Sequence, residues 1–293
     1  MATRHPRTLR RDLDAIESAG YPLLTERIDG HTRWKLLDGI INAPALRLSP
    51  TELMALTVSR RLIAPLEGTA LYASLVSALG KASAALPPDG LNLVHQLEGT
   101  FSIGLGPHKR YKRYREVVER VTQAIVEKKR IQMRYDSSSR GRLTRREVDP
   151  YRLWYASGGL YLIGYCHSRT EPRMFAVERI KSVTPTDLPY QIPLHFDFDA
   201  FVEDSLTVMR GPRIDVEVEF DKPTAAWAKD RIWHPSQQLK RLPGGRLRMT
   251  ITVADSRELV GWILSFGSGV RVVRPESLRM TVKQEAATIV MSS

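Results

Sequence analysis

Three stretches of this chain gather side chains suited to holding anions. Arg4, His5, Arg7, Thr8, Arg10 and Arg11 crowd the first eleven residues. Arginine bonds guanine in a bidentate way, and arginines and hydroxyls also fix phosphates. Arg27, Arg33 and Lys35 follow closely and suit phosphate contacts. A second set mixes guanidinium with aromatic rings: Arg145, Arg146, Tyr151, Arg152, Tyr161, His167, Arg173 and Arg179. Arginines offer charge-assisted forks to phosphate. Tyrosine faces stack bases, worth roughly 1–3 kcal/mol per base. The third set is His108-Lys109-Arg110-Tyr111-Lys112-Arg113-Tyr114-Arg115, where basic residues alternate with tyrosines as in surfaces that follow a single strand. Its plain reading is a basic linker entering a helix.

The search for catalysis returns little. Gly104-Leu105-Gly106 lacks the following Lys-Ser/Thr of a phosphate loop. Asp197, Asp199, Glu203 and Asp204 form an acidic cluster that reads as an exposed connector rather than a metal site. The single cysteine, Cys166, has no triad signature around it and reads as core. No enzyme activity, metal or cofactor is expected.

The elements that must position these residues follow from periodicity. Leu9, Leu13 and Ile16 form one stripe of a helix over 6–18, with Arg4, Arg7 and Arg11 facing outward. Asp29-Gly30 between the extended runs Leu23–Ile28 and His31–Leu37 predicts a hairpin. A basic amphipathic helix followed by a hairpin is how a winged helix-turn-helix ends. Residues 49–86 read as helical with a break near Pro65 and Gly68, opened by a Ser49/Glu52 capping box. Pro87-Pro88-Asp89-Gly90 breaks the pattern, 99–108 reads as loop, and a further helix runs over about 112–129.

From residue 130 the period becomes that of strands. The runs are Arg130–Asp136, Leu143–Val148, Tyr151–Ser157, Leu160–Cys166 and Arg173–Glu178, with Gly158-Gly159 as a tight turn. That pattern suggests a small barrel. Alternation puts Tyr161, Ile163 and Tyr165 on one face and Leu160, Leu162 and Cys166 on the other. After Pro212 the order is strand, helix, strand, strand, helix, strand, helix, which fits a ferredoxin-like sandwich.

The chain has 293 residues, enough for two or three domains, and carries a formal charge of +12. Residues 108–146 alone hold fourteen basic and four acidic residues, a net +10. Such a field attracts polyanions in a salt-dependent way. No apolar run suits a transmembrane helix, and one cysteine fits a reducing cytoplasm.

The stretch Val148-Asp149-Pro150-Tyr151-Arg152-Leu153, Gly158 to His167, Arg173-Met174-Phe175 and Glu178-Arg179-Ile180 resembles the WYL domain of bacterial transcription regulators. The tripeptide that gives the domain its name stands here as Leu160-Tyr161-Leu162, without its tryptophan. Arg7-Thr8-Leu9-Arg10-Arg11-Asp12-Leu13-Asp14 and Ala19-Gly20-Tyr21-Pro22 are similar to the recognition helix and wing of the same regulators. The C-terminal segment resembles their WCX extension.

The resemblance implies an α+β multidomain chain. A partial winged helix-turn-helix occupies 1–38, a helical connector 39–129, an Sm-like or SH3-type WYL barrel 130–190, a linker 191–212 and a WCX sandwich 213–293. The winged domain is expected to be N-terminally incomplete, because Met1 lies six residues before Arg7. The function implied is a cytoplasmic, DNA-binding transcriptional regulator, expected to be a homodimer. Arg4, His5, Arg7, Thr8, Arg10, Arg11, Arg33 and Lys35 would touch a double-stranded operator. Arg145, Tyr151, Tyr161, His167, Arg173 and Arg179 would bind a single-stranded nucleic acid or nucleotide effector. The alternative is a truncated ligand-binding module or antagonist without sequence-specific operator binding.

Overall fold

The computed structural model describes residues 13, 23–28, 31–36, 48–84, 86, 88–137, 142–203, 206 and 208–292. Two compact units emerge, one of residues 1–57 with 78–101 and one of residues 58–77 with 102–293. Apart from Leu13, the helix expected over 6–18 lies outside the described residues.

In the first unit, β1 (Leu23–Ile28) and β2 (His31–Leu36) pair antiparallel, with Leu23 opposite Leu36 and Ile28 opposite His31. That register leaves Asp29-Gly30 as the two-residue connection the sequence predicts. Helix α1 (Pro50–Leu62) opens on the expected capping box. Ser49 N–H donates to Glu52 Oε2 at 2.8 Å, and Glu52 N–H donates to Ser49 Oγ at 3.3 Å. The chain breaks after α1, turns through Ala64–Leu66, and resumes as α2 (Ala70–Ala84).

A helix not expected from the sequence follows, α3 (Pro88–Glu98), with Val94 buried. The Pro-Pro-Asp-Gly run predicts only a break. Pro88 instead occupies the first helical position, where a missing N–H costs nothing, and Asp89 complements the helix dipole.

In the second unit, α4 (Arg115–Val126) buries Val118, Val121 and Ala124. It packs on a five-stranded antiparallel sheet of order β6-β5-β4-β3-β7. The strands are β3 (Lys129–Ser137), β4 (Arg142–Ala156), β5 (Gly159–Cys166), β6 (Glu171–Ala176) and β7 (Ile180–Pro189). The core joins Val121 and Ala124 to Ile131, Met133, Val148, Leu162, Cys166, Phe175 and Val183. Cys166 is fully buried, as expected.

Two expectations need correction here. Leu143–Val148 and Tyr151–Ser157 are one strand, β4, bent by a bulge between Pro150 and Arg152. A strand missed by the sequence reading, β7, pairs with β3 and returns the chain across the sheet. Its two prolines, Pro185 and Pro189, hide the alternation and suit an edge.

The turn between β4 and β5 is also shifted by one residue. Ser157 and Gly158 both take positive φ, 48° and 76°, while Gly159 already pairs with Ala156. Two positive φ values mark the hairpin turn that matches strand twist. A Cβ on Gly158 would also lie 2.1 Å from Pro107 O, so the 107–109 segment can pass only over a glycine.

After α5 (Phe198–Glu203) the chain builds a four-stranded sheet of order β11-β8-β10-β9. Its strands are β8 (Arg213–Phe220), β9 (Gln238–Arg241), β10 (Leu247–Ala254) and β11 (Val270–Arg274). Helices α6 (Lys222–Ala228), α7 (Arg257–Leu264) and α8 (Glu276–Ser292) complete the segment. Residues from the strands and all three helices share one core, including Val218, Phe220, Met249, Ala228, Leu259, Ile263 and Leu278. The helix expected to reach Trp233 stops at Ala228, because the Trp233 indole folds back and donates to Ala228 O at 3.1 Å.

The opposite face of this sheet carries Glu217 and Glu219, both buried. Arg248 Nη2 reaches Glu219 at 2.6 Å, Arg271 Nη2 reaches it at 2.7 Å, and Arg274 Nη2 reaches Glu217 at 2.5 Å. Bonds from Arg248 and then Arg271 hold the Glu219 carboxyl below its ordinary value of 4.5. A carboxyl depressed by folding stabilises the folded state above its unfolded pKa, and that contribution is lost as pH falls through the folded value. The Glu219→Gln variant is therefore expected to be less stable than wild type at neutral pH. It should also show a shallower loss of stability between about pH 5 and pH 3. Urea titrations across that range check both; parallel profiles would refute the role given to this carboxylate.

Candidate functional site

The structure distributes the expected effector residues over five places. Tyr161 stands in mid-β5, opposite Trp154 of β4 and Ala176 of β6. Its ring centroid lies 6.2 Å from that of Trp154, and its hydroxyl end covers Gly159, where a Cβ would come within 2.6 Å. Burial, then the charges of Glu178 and Glu258, push the Tyr161 hydroxyl pKa up. Trp154 in turn meets Phe198 edge-on, and the Arg152 guanidinium sits 4.2 Å over the Phe198 ring. This is the face of Tyr161, Ile163 and Tyr165 that alternation predicts, and Ile163 within it is fully buried.

Arg173 belongs to the other side of β6, two residues before the buried Phe175. Its Nε donates to Glu171 Oε1 at 2.7 Å. Together with Glu171, Pro172 and Met174 it lines a cleft of about 420 Å³, closed by Val208, Arg210 and Gly211. Arg210 was not singled out from the sequence. It stands in the segment before β8 with its guanidinium 4.0 Å over the Phe201 ring. The only sequence signal was an arginine beside Gly-Pro, with no periodicity to place it.

His167 and Tyr151 take structural positions. His167 Nε2 is 2.8 Å from Asp149 Oδ2, and Arg130 Nε donates to Asp149 Oδ1 at 2.7 Å. The Tyr165 ring packs edge-on to the imidazole at 5.1 Å. Tyr151 is buried, with Phe196 edge-on at 4.8 Å and Tyr190 at 6.1 Å. Burial pushes the Tyr190 hydroxyl up to about 12, and that hydroxyl donates to Pro150 O. Arg179, at the end of the turn after β6, lies 5.2 Å over the Tyr135 ring. Arg145 is exposed on β4, directly opposite Arg134, with Nη2 bonded to Gln132 Oε1.

Of the expected operator contacts, Arg4, His5, Arg7, Thr8, Arg10 and Arg11 lie outside the described residues, as does the side chain of Arg33. Lys35 is exposed on β2, opposite Leu24.

The basic run at 108–115 resolves toward its plain reading. Tyr111 is fully buried among Leu66, Val118, Leu160 and Val177, not offered as a stacking face. Its hydroxyl accepts from Leu160 N–H at 2.6 Å and lies 3.3 Å from Glu178 Oε2, and burial pushes its pKa up. Lys109 is ion-paired with Glu178. In the acidic cluster, Asp197 Oδ1 accepts from the N–H groups of Asp199 and Ala200, so it caps the start of α5.

Comparison with known proteins follows the same division of the chain. Residues 116–185 match the family model described as WYL domain, and residues 212–290 match that described as WCX domain. The chain is thus a WYL-domain protein with a WCX domain behind it. Among curated relatives, Protein PafC of Mycobacterium tuberculosis is 28% identical over 183 residues, covering 59% of this chain and 53% of that one. An uncharacterized HTH-type transcriptional regulator of Bacillus subtilis, YobV, is 23% identical over 307 residues, covering 95% of this chain and 86% of its own. The chain spans about half the length of the PafC relative it matches first. A solved structure, proteasome accessory factor B/C (PafBC) of Arthrobacter aurescens, is 23% identical. It covers 96% of this chain and 40% of that one, with a TM-score of 0.33.

The Arg130–Asp149–His167 arrangement yields a prediction that separates structure from binding. Asp149→Ala leaves the partly buried Arg130 beside no anion and is expected to cost about 2 kcal/mol. His167→Ala removes one bond to a carboxylate that Arg130 still holds and should cost about half as much. Chemical denaturation of both variants checks the order; an inverted order would overturn the reading of His167 as an accessory to this pair.

Proposed function

We infer that this chain is a transcriptional regulator whose WYL domain responds to an anionic effector, nucleic-acid or nucleotide-like in chemistry. The regulatory part is supported by the WYL and WCX matches and by similarity to an HTH-type regulator. Support for an Sm-like barrel comes from the meander β3 to β6, with β7 returning to pair with β3. The β-α-β-β-α-β connectivity from Arg213, with β8 and β10 central, supports a ferredoxin-like reading of the last segment.

One observation carries the sensing role. The cleft beside β6 offers two guanidiniums from two different elements, Arg173 on the strand and Arg210 on the segment leading into β8. Guanidinium keeps its charge at every physiological pH and has five N–H donors, so the bond to Glu171 leaves others for phosphate. An anion bridging Arg173 and Arg210 would favour the arrangement in which they face each other. The coupling to DNA affinity would be a population shift, of order 1–3 kcal/mol. Arg4, His5, Arg7, Thr8, Arg10, Arg11, Arg33 and Lys35 are the residues proposed to meet duplex DNA, and a homodimer would present two such sets to a pseudo-palindromic operator. Tyr161 is proposed to act from beneath the cleft's strand, through the position of β5 and β6.

Fluorescence anisotropy with labelled single-stranded and duplex DNA at two salt concentrations tests this. Arg173→Ala and Arg210→Ala should each weaken single-strand binding about tenfold, or about 1.4 kcal/mol, with duplex binding retained. Arg7→Ala should weaken duplex binding alone. If all three variants bind both probes like wild type, the sensing and reading roles both fail.

A further inference from the structure

A cavity of about 520 Å³ lies on the helix-facing side of the five-stranded sheet, wholly within the second unit. Its floor is Leu153 and Tyr155 of β4 with Leu160 of β5. Tyr155 stands directly opposite Leu160 across the β4–β5 ladder, so both point to one face, the face of Leu153 two residues earlier. Val118 and Thr122, one turn apart on α4, form one wall. Leu66, Ala70 and Leu71, from the turn before α2 and its first residues, form the other. The volume falls in the range of about 300–1,000 Å³ found for small-molecule sites, which are mostly apolar with a few placed polar groups. Leu66, Val118 and Leu160 are already buried, whereas Leu71 beside them stays 63% exposed.

Most polar groups of the lining are already engaged. Thr69 Oγ1 donates to Leu66 O at 2.7 Å, and Thr122 Oγ1 donates to Val118 O at 2.8 Å. Arg115 Nε holds Glu119 at 2.7 Å, and Gln123 Nε2 donates to Glu127 Oε1 at 2.8 Å. The Tyr155 hydroxyl, by contrast, has no hydrogen-bond partner among the described residues. Burial pushes its pKa up, so the proton stays in place and the group is a donor. Among the described residues no lysine, arginine or histidine lines the cavity. An anion entering it would meet the Glu119 carboxylate and no counter-charge. The cavity therefore disfavours the ligands that suit the Arg173–Arg210 cleft, with which it shares no lining residue.

We propose that this cavity binds a neutral, largely apolar small molecule whose one carbonyl or hydroxyl oxygen accepts from Tyr155 O–H. The apolar body of the ligand lies against Leu66, Val118, Leu153 and Leu160 and takes Leu71 out of water. A peptide is a poorer occupant, because its backbone N–H and C=O groups need partners and the lining has too few free polar groups to supply them. The ligand touches α2, α4 and the sheet at once. Helix α2 runs on from this wall into the first unit, which takes up the chain again at residue 78. The cavity thus gives the chain an input chemically unlike the anion proposed for the cleft.

The test uses the full chain and prodan, a neutral naphthalene ketone. Its emission moves to the blue in apolar surroundings and back to the red when its carbonyl accepts a hydrogen bond. Wild type is expected to bind prodan saturably, with a blue shift from water and a thermal midpoint that rises with prodan concentration. Tyr155→Phe should bind roughly three- to tenfold more weakly, with emission still further to the blue, because the carbonyl has lost its donor. A tyrosine that served packing alone would not move that emission. Ala70→Trp, at an exposed position of the lining, should fill the cavity and abolish both binding and the thermal gain. Val126→Ser, an exposed apolar loss elsewhere on α4, should change neither. Absence of saturable binding to wild type, undiminished binding to Ala70→Trp, or an equal loss in Val126→Ser would overturn the proposal. Anilinonaphthalene sulfonate has rings of similar size and a fixed negative charge. If it binds as tightly as prodan and Ala70→Trp abolishes that binding, the cavity admits anions and the proposed ligand class is wrong. Prodan affinity that falls as protein concentration is raised would show that a second copy covers the cavity, and would overturn the proposal as well.

Discussion

The buried hydroxyl of Tyr111 is the interaction on which the second unit depends. Its backbone N–H donates to Pro65 O at 3.1 Å, its hydroxyl accepts from Leu160 N–H at 2.6 Å, and its ring fills the space between Leu66, Val118 and Val177. One side chain thereby ties the turn after α1, the approach to α4, the start of β5 and the turn after β6. A buried donor such as Leu160 N–H without a partner would cost roughly 1–3 kcal/mol, so the tyrosine is not interchangeable with phenylalanine here. The same hydroxyl meets Glu178, which also holds Lys109. The start of the basic run is therefore anchored within the fold. Burial, and after it the charge of Glu178, also raises the Tyr161 hydroxyl.

Charge in this chain is best understood by what lies under it. Glu217 and Glu219 are desolvated, and each is surrounded by guanidinium donors, so their cost of burial is offset by several charge-assisted bonds. That layer of arginine is structural in its primary effect. Arg145, Arg173 and Arg210 meet instead a neutral carboxamide, an exposed carboxylate and an aromatic ring.

Sequence patterning carried the local elements well. The capping box at Ser49 and Glu52, the two-residue hairpin of β1 and β2, and the alternation along β5 all depend on neighbours within a few residues, which a linear reading contains. What failed to show was set by long-range geometry. β7 is recognisable only through its pairing with β3, and its prolines mask the period. β4 reads as two runs because a bulge at Pro150 resets the alternation. Among the candidate residues, His167 and Tyr151 share the residue types of ligand-binding positions. Asp149, eighteen and two positions away in sequence, and the rings of Phe196 and Tyr190 decide their roles. Arg210 had no pattern at all; only folding brings it across from Arg173.

The segment between β7 and β8 is fastened at both ends, as the proposed coupling through the cleft requires. Toward the five-stranded sheet, Phe196 packs on Tyr151 and Phe198 on Trp154. Toward the four-stranded sheet, Glu258 Oε2 accepts from the N–H groups of Val208 and Met209 at 2.9 and 2.7 Å. The His234 ring meets Glu203 O at 2.6 Å. Arg210 stands one residue beyond the Glu258 bonds, so a force applied to it is transmitted to α7 rather than absorbed by slack chain. A ligand shifts an equilibrium only by its difference in affinity for the two states. An anion held by Arg173 alone would have no such difference, because both its contacts would move with β6. An anion shared with Arg210 would have one, because its second contact belongs to an element fixed to the other sheet.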